Sequence, residues 1–68
     1  MNEIIFEVAE ALEGGYTAQA FGQAIFTEAE TFDVLRTHVR DAVRSHFDEG
    51  QGPKLIRLHF VRDEVLAA

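Results

Sequence analysis

The sequence predicts an α+β domain of order βββαβ, in which one amphipathic helix packs on one face of a mostly antiparallel sheet. Residues 3–11, EIIFEVAEA, alternate β-branched and aromatic side chains with a period of two. Paired glycines at Gly14 and Gly15 separate that segment from a second alternating one, a hairpin signal because tight turns require the positive φ that glycine takes without strain. Leu35, Val39, Ala42, Val43 and Phe47 then recur at helical spacing and form a single apolar stripe.

In the first strand, β1 (Glu3 to Ala11), the alternation sets Ile4, Phe6 and Val8 on one face and Ile5, Glu7 and Ala9 on the other. Leu12-Glu13-Gly14-Gly15 is the turn, and Tyr16 to Phe21 is the returning strand β2. Gly22-Gln23 breaks the chain again, and Ile25-Phe26-Thr27 is a short third strand. Thr31 suits a helix N-cap, with Asp33 in the first turn where the helix dipole favours negative charge. Thr27 with Glu30 also has capping-box spacing, four residues earlier; Thr31 is the preferred start. Gly50, Gly52 and Pro53 stop the helix. The last strand sets Ile56, Leu58 and Phe60 on one face and Leu55, Arg57, His59 and Val61 on the other, after which the pattern dissolves.

One helix covers one sheet face. The other face still carries Ile5, Ala9, Leu55, His59 and Val61, which form the candidate oligomer or partner interface. The plain alternative is a set of singly scattered surface residues.

Sixty-eight residues make one domain, spanning 1–68. A chain of this size buries only about 60% of its unfolded surface, which leaves no room for a large internal cavity. There is no cysteine, so neither disulfide nor thiolate metal site supplements the thin core, and self-association is the remaining support. Twelve acidic against six basic side chains give a formal net charge of -6, which repels phosphate backbones and attracts a basic macromolecule. Direct nucleic-acid binding is not expected. No apolar run approaches the ~20 residues of a membrane span, and MNEIIFEVAE lacks the basic start of a secretion signal. The expectation is a cytoplasmic protein with no membrane partner.

No catalytic, cofactor-binding or metal site is expected. His38 and His46 lie about 80° apart around the helix, which is not the spacing at which two imidazoles grip one metal. His46 falls within the apolar stripe and reads as a mostly buried side chain with local partners. His59 sits beside Arg57 on the second sheet face, as an interface residue or a bystander. Ser45, the only serine, is turned about 100° from its neighbour His46, and no triad is visible. Glu7, Glu10, Glu13, Glu28, Glu30, Asp63 and Glu64 are numerous but dispersed, and their spacing requires no shared cation. Arg36, Arg40 and Arg44 form the one basic stripe: either a contact strip for an acidic groove or phosphates, or a solvated face. The solvated reading joins Asp33 to Arg36, Asp41 to Arg44 and Arg44 to Asp48. Neither a G-x-G-x-x-G motif nor a P-loop lysine follows the paired glycines.

Gly14-Gly15-Tyr16 opening a strand, a turn, Ile25-Phe26-Thr27-Glu28 and a helix entered at Thr31-Phe32 together resemble the N-terminal domain of HicB-like antitoxins. The match runs from Ile4 to about Val61. It departs from that family at Phe21-Gly22-Gln23, where a proline-containing turn is common, and at Ala29, where glycine is usual. The resemblance implies a partial RNase H-like arrangement without the nuclease carboxylates, which oligomerises and occludes a small basic HicA-type ribonuclease toxin. It also implies a DNA-binding domain after this one, but the sequence ends at Ala68, so the expectation is a stand-alone member without it. Two rivals stay open: a self-assembling structural or regulatory module with no toxin, and a small metal-dependent nuclease on the same scaffold.

Overall fold

The computed structural model describes residues 2–68. Its elements are β1 (Glu3–Glu10), β2 (Tyr16–Ala20), β3 (Phe26–Ala29), α1 (Phe32–His46) and β4 (Leu55–Phe60), the predicted order βββαβ. They form one mixed sheet in the order β3-β2-β1-β4. The β1–β2 and β2–β3 pairs are antiparallel and β1–β4 is parallel, so the predicted fold class holds.

Element ends shift by a few residues. Strand β3 begins at Phe26 rather than Ile25, because Ile25 turns into the core and only its carbonyl joins the ladder, accepting from the Ala20 amide at 3.0 Å. The helix starts as preferred: Thr31 is extended and its hydroxyl accepts from the Val34 amide at 3.2 Å, while Thr27 is committed to β3 and caps nothing. It ends at His46, earlier than the glycines suggest. Phe47 leaves the helical path as C-cap and folds inward against the core, where its ring lies over Gly52.

The core is Ile4, Phe6 and Val8 of β1, Ala18 and Ala20 of β2, Ile25, and Leu35, Val39 and Val43 of α1, all buried. Alternation explains the strand members and the helical repeat those of α1, while Ile25 turns inward just before β3. The two alanines of β2 leave room for the helix, which packs across β2 and β3. At the other edge of the sheet Ile56 and Leu58 are only half-buried and Phe60 is 50% exposed. Phe32 partly closes that side, its ring packed between Tyr16 at 5.9 Å and Phe60 at 5.0 Å, with the Arg36 guanidinium 4.9 Å above it.

The hairpin follows its glycines. A turn closed by the Gly14 amide donating to the Ala11 carbonyl is followed by two positive-φ residues, Gly14 at 100° and Gly15 at 83°. This is the three-residue loop in which a turn runs into a left-handed glycine. The Ala11 amide then donates to the Gly15 carbonyl at 2.9 Å, and the β1–β2 ladder begins.

Candidate functional site

The sheet face opposite α1 is the candidate site, and strand register maps it row by row. Glu3 is paired with Leu55 at one end. Ile5 comes next, beside Arg57 on β4, with Phe21 on its other side donating its amide to the Ile5 carbonyl at 2.9 Å. The third row is Phe26, Gln19, Glu7 and His59 across all the strands. The fourth is Glu28, Thr17 and Ala9, with Val61 alongside because its amide continues the ladder to the Val8 carbonyl at 2.8 Å.

The structure therefore brings Ile5, Ala9, Leu55, His59 and Val61 onto one surface, as alternation implies. They do not form it alone. Phe26 is 60% exposed and Phe21 is 55% exposed on the same face, and neither was assigned to it from sequence. The signal was present: Phe21 is the next alternating position after the buried Ala18 and Ala20, and Phe26 follows the buried Ile25. With Leu55 at 57% and Ile5 and Val61 each at 36%, the surface is an apolar field held in water. That quantity of exposed apolar side chain on one sheet face makes it the candidate interaction surface.

Charge is set around this field with a bias. Glu3, Glu7 and Glu28 stand on the face, while Arg57 is its one permanent cation among the described residues. Arg57 is already engaged: its Nε and Nη2 donate to the two Glu3 carboxylate oxygens at 3.1 and 2.9 Å, a forked pair. That hydrogen bond holds the Glu3 carboxyl below its usual range, with the Arg57 charge acting the same way and desolvation opposing it. Glu7 and Glu28 have no such partner among the described residues.

The helix face is different in kind. Arg36 pairs with Asp33 one turn before it, and Arg44 reaches Asp41 at 4.0 Å. The expected Arg44–Asp48 pair does not form, because the helix ends at His46 and Asp48 no longer follows its spiral. Arg36 and Arg40 also flank a shallow groove between α1 and β4 whose floor is Val39, Ile56 and Leu58.

The histidines do not meet. His38 is exposed and its Nδ1 donates to the Glu28 carbonyl at 3.0 Å, tying the helix to β3. His46 is exposed too, contrary to the buried position that the stripe implies. Being the last helical residue, it lies beyond the core layer of Val43 and reaches the side-chain carbonyl of Gln23 in the β2–β3 turn at 3.2 Å. Ser45 is likewise exposed. Among the described residues, no three His, Asp or Glu side chains come together in a way that would hold a metal ion, and no helix is long and apolar enough to cross a membrane.

No protein-family model matches this chain, and no solved structure matches it. Curated proteins do. A UPF0150 protein of Thermotoga maritima is 40% identical over 66 residues, covering 97% of this chain and 93% of the relative. A UPF0150 protein of Archaeoglobus fulgidus is 50% identical over 55 residues, covering 81% of this chain and 82% of the relative.

Proposed function

The chain belongs to the UPF0150 family, and from that premise we propose that it is a non-catalytic, HicB-like binding module whose open sheet face docks and blocks a small basic ribonuclease. The observation that carries the reading is the composition of that face: half-exposed Phe21, Phe26, Ile5 and Leu55, accompanied by Glu7 and Glu28, on a chain of net charge -6. Burying the exposed parts of such side chains contributes about 1 kcal/mol each. The carboxylates steer a basic partner to the surface and set its orientation.

The supporting local match is the hairpin and helix entry. Gly14-Gly15-Tyr16 and the Thr31 cap are the features on which the resemblance to HicB-like antitoxins rests, and each occupies a defined turn or cap in the fold. The module acts by occlusion in this reading. It contributes no nucleophile, acid or metal to a reaction, and its work is to cover the partner's RNA-binding surface.

The test is to combine the chain with a cognate HicA-type toxin and follow ribonuclease activity. The wild type is expected to abolish cleavage, and Ile5→Asp combined with Phe26→Asp to restore it. Cleavage unaffected by excess wild type argues against toxin docking, and inhibition that survives the double substitution moves the contact to another surface.

A further inference from the structure

Strand β4 is an edge of the sheet, with β1 on one side and no described strand on the other. A free edge offers unpaired amides and carbonyls to any passing strand, and proteins blunt such edges with proline, bulges, short strands or inward charges. LIRLHF has no proline, and Leu55 on one face and Phe60 on the other are half in water. The helix is displaced toward β2 and β3, so the groove face of β4 is unfilled as well. Beyond Phe60 the chain continues as an exposed segment without regular structure, in which Val65 is 95% and Leu66 is 77% exposed.

We propose that a second copy of this chain covers this edge, the β4 strands and the segments that follow them pairing antiparallel about a two-fold axis at Phe60. A two-fold perpendicular to the sheet must bring one residue opposite itself, which leaves few registers to compare. With the axis at Phe60, Val61 faces His59 of the second copy, Asp63 faces Arg57 and Val65 faces Leu55, all on the open face. On the groove face Phe60 meets Phe60, and Glu64 lies opposite Ile56, next to Arg40. On the open face Asp63 thus meets an arginine and Val65 a leucine, while on the groove face Arg62 falls opposite Leu58 and Glu64 has Arg40 nearby. An axis at Val61 would oppose Val65 to Arg57, and an axis at His59 would oppose Asp63 to Leu55. Arg57 retains Nη1 for the incoming Asp63, since Glu3 is held by Nε and Nη2.

The segment's own β4 is a poor host. Folding back would take a tight turn directly after Val61, and VRDEVLAA contains neither glycine nor asparagine to supply positive φ. Pairing with a second copy needs no turn: the strand only continues straight. This is strand addition, with backbone bonds for affinity and alternate side chains for register. It joins two sheets edge to edge and leaves Ile5, Phe21 and Phe26 uncovered.

Cysteine is absent from the chain, so single introduced thiols report the register cleanly. Phe60→Cys is expected to oxidise to a disulfide-linked dimer, whereas Leu66→Cys, opposite Lys54, does not link to itself. Sedimentation of the unmodified chain is expected to give a dimer. Val65→Asp, which sets a carboxylate against Leu55 of the second copy, is expected to raise its dissociation constant at least about tenfold without moving the melting temperature of the isolated domain. A monomer at the highest soluble concentration overturns the proposal, as does linking of Leu66→Cys as fast as Phe60→Cys, or a dimer indifferent to the Val65 change. The pairing does not depend on a toxin: a dimer that inhibits no ribonuclease defeats the docking reading alone, and a monomer that inhibits one defeats this proposal alone.

Discussion

Exchanging Gly15 for alanine, with the same change at Gly14 as its control, separates backbone strain from crowding at a single hairpin. Both residues have positive φ, 83° at Gly15 and 100° at Gly14, so an alanine at either is strained by about 1 kcal/mol. Both changes also remove about the same chain entropy from the unfolded state, which cancels in the comparison. Only the surroundings differ. A Cβ at Gly14 meets nothing within 4 Å, while one at Gly15 falls 2.7 Å from the Ala29 carbonyl oxygen and 3.3 Å from the Glu30 Cα. These are backbone atoms at the end of β3, where Ala29 pairs with Tyr16, so relief requires the strand itself to move. Overpacking of that kind costs roughly 1–3 kcal/mol. Gly15→Ala therefore loses about 2–4 kcal/mol, most of the ~3–5 kcal/mol available to a domain this small. With a urea slope of about 1 kcal/mol/M, the Gly14→Ala midpoint drops by about 1 M, and Gly15→Ala is largely unfolded without denaturant. Equal midpoints for the two variants would refute the close approach of β3 to the hairpin.

Other substitutions test other layers. Val39→Asp places an unpaired charge at a site 1% exposed and is expected to unfold the domain by circular dichroism; a cooperative transition would mean the wrong helix face is buried. Thr31→Ala removes the hydroxyl that accepts from the Val34 amide and is expected to cost about 1 kcal/mol in chemical denaturation, an unchanged midpoint contradicting the cap. Leu55→Asp is expected to weaken self-association while the monomer stays folded, since Leu55 is 57% exposed; an unfolded monomer would make that face core. Glu3→Gln addresses pH. The Glu3 carboxyl is lowered in the folded state, so its contribution is present above the ordinary value of 4.5 and is lost as pH falls through the lower folded value. The variant should melt below the wild type near neutral pH and converge with it in acid; a constant gap across that range would contradict the pairing with Arg57.

Local rules made much of this molecule legible. The alternation of Ile4, Phe6 and Val8 places them in the core, Gly14 and Gly15 take the conformations that only glycine tolerates well, and Thr31 caps the helix. Periodicity carries no information on which strands are neighbours. That is why β4 reads as a strand with one inward face, while its edge position, its parallel pairing with β1 and its half-covered Ile56 and Leu58 emerge only from the assembled sheet. His46 shows the same limit: its angle around the helix matches the stripe, but its height places it past Val43 at the end of the core. Phe21 and Phe26 lie inside the segments predicted as the second and third strands, but such short strands do not show by themselves which of their faces meets the helix. The open face is consequently more aromatic than Ile5, Ala9, Leu55, His59 and Val61 alone imply.

The central claim, that the open sheet face is the docking surface, is tested most directly by titrating the nitrogen-labelled chain with a cognate small basic ribonuclease toxin and mapping amide shifts by NMR. The account predicts salt-sensitive binding with the largest changes at Ile5, Glu7, Gln19, Phe26 and Glu28. Changes confined to the arginine-bearing side of the helix, around Arg36, Arg40 and Arg44, would contradict it.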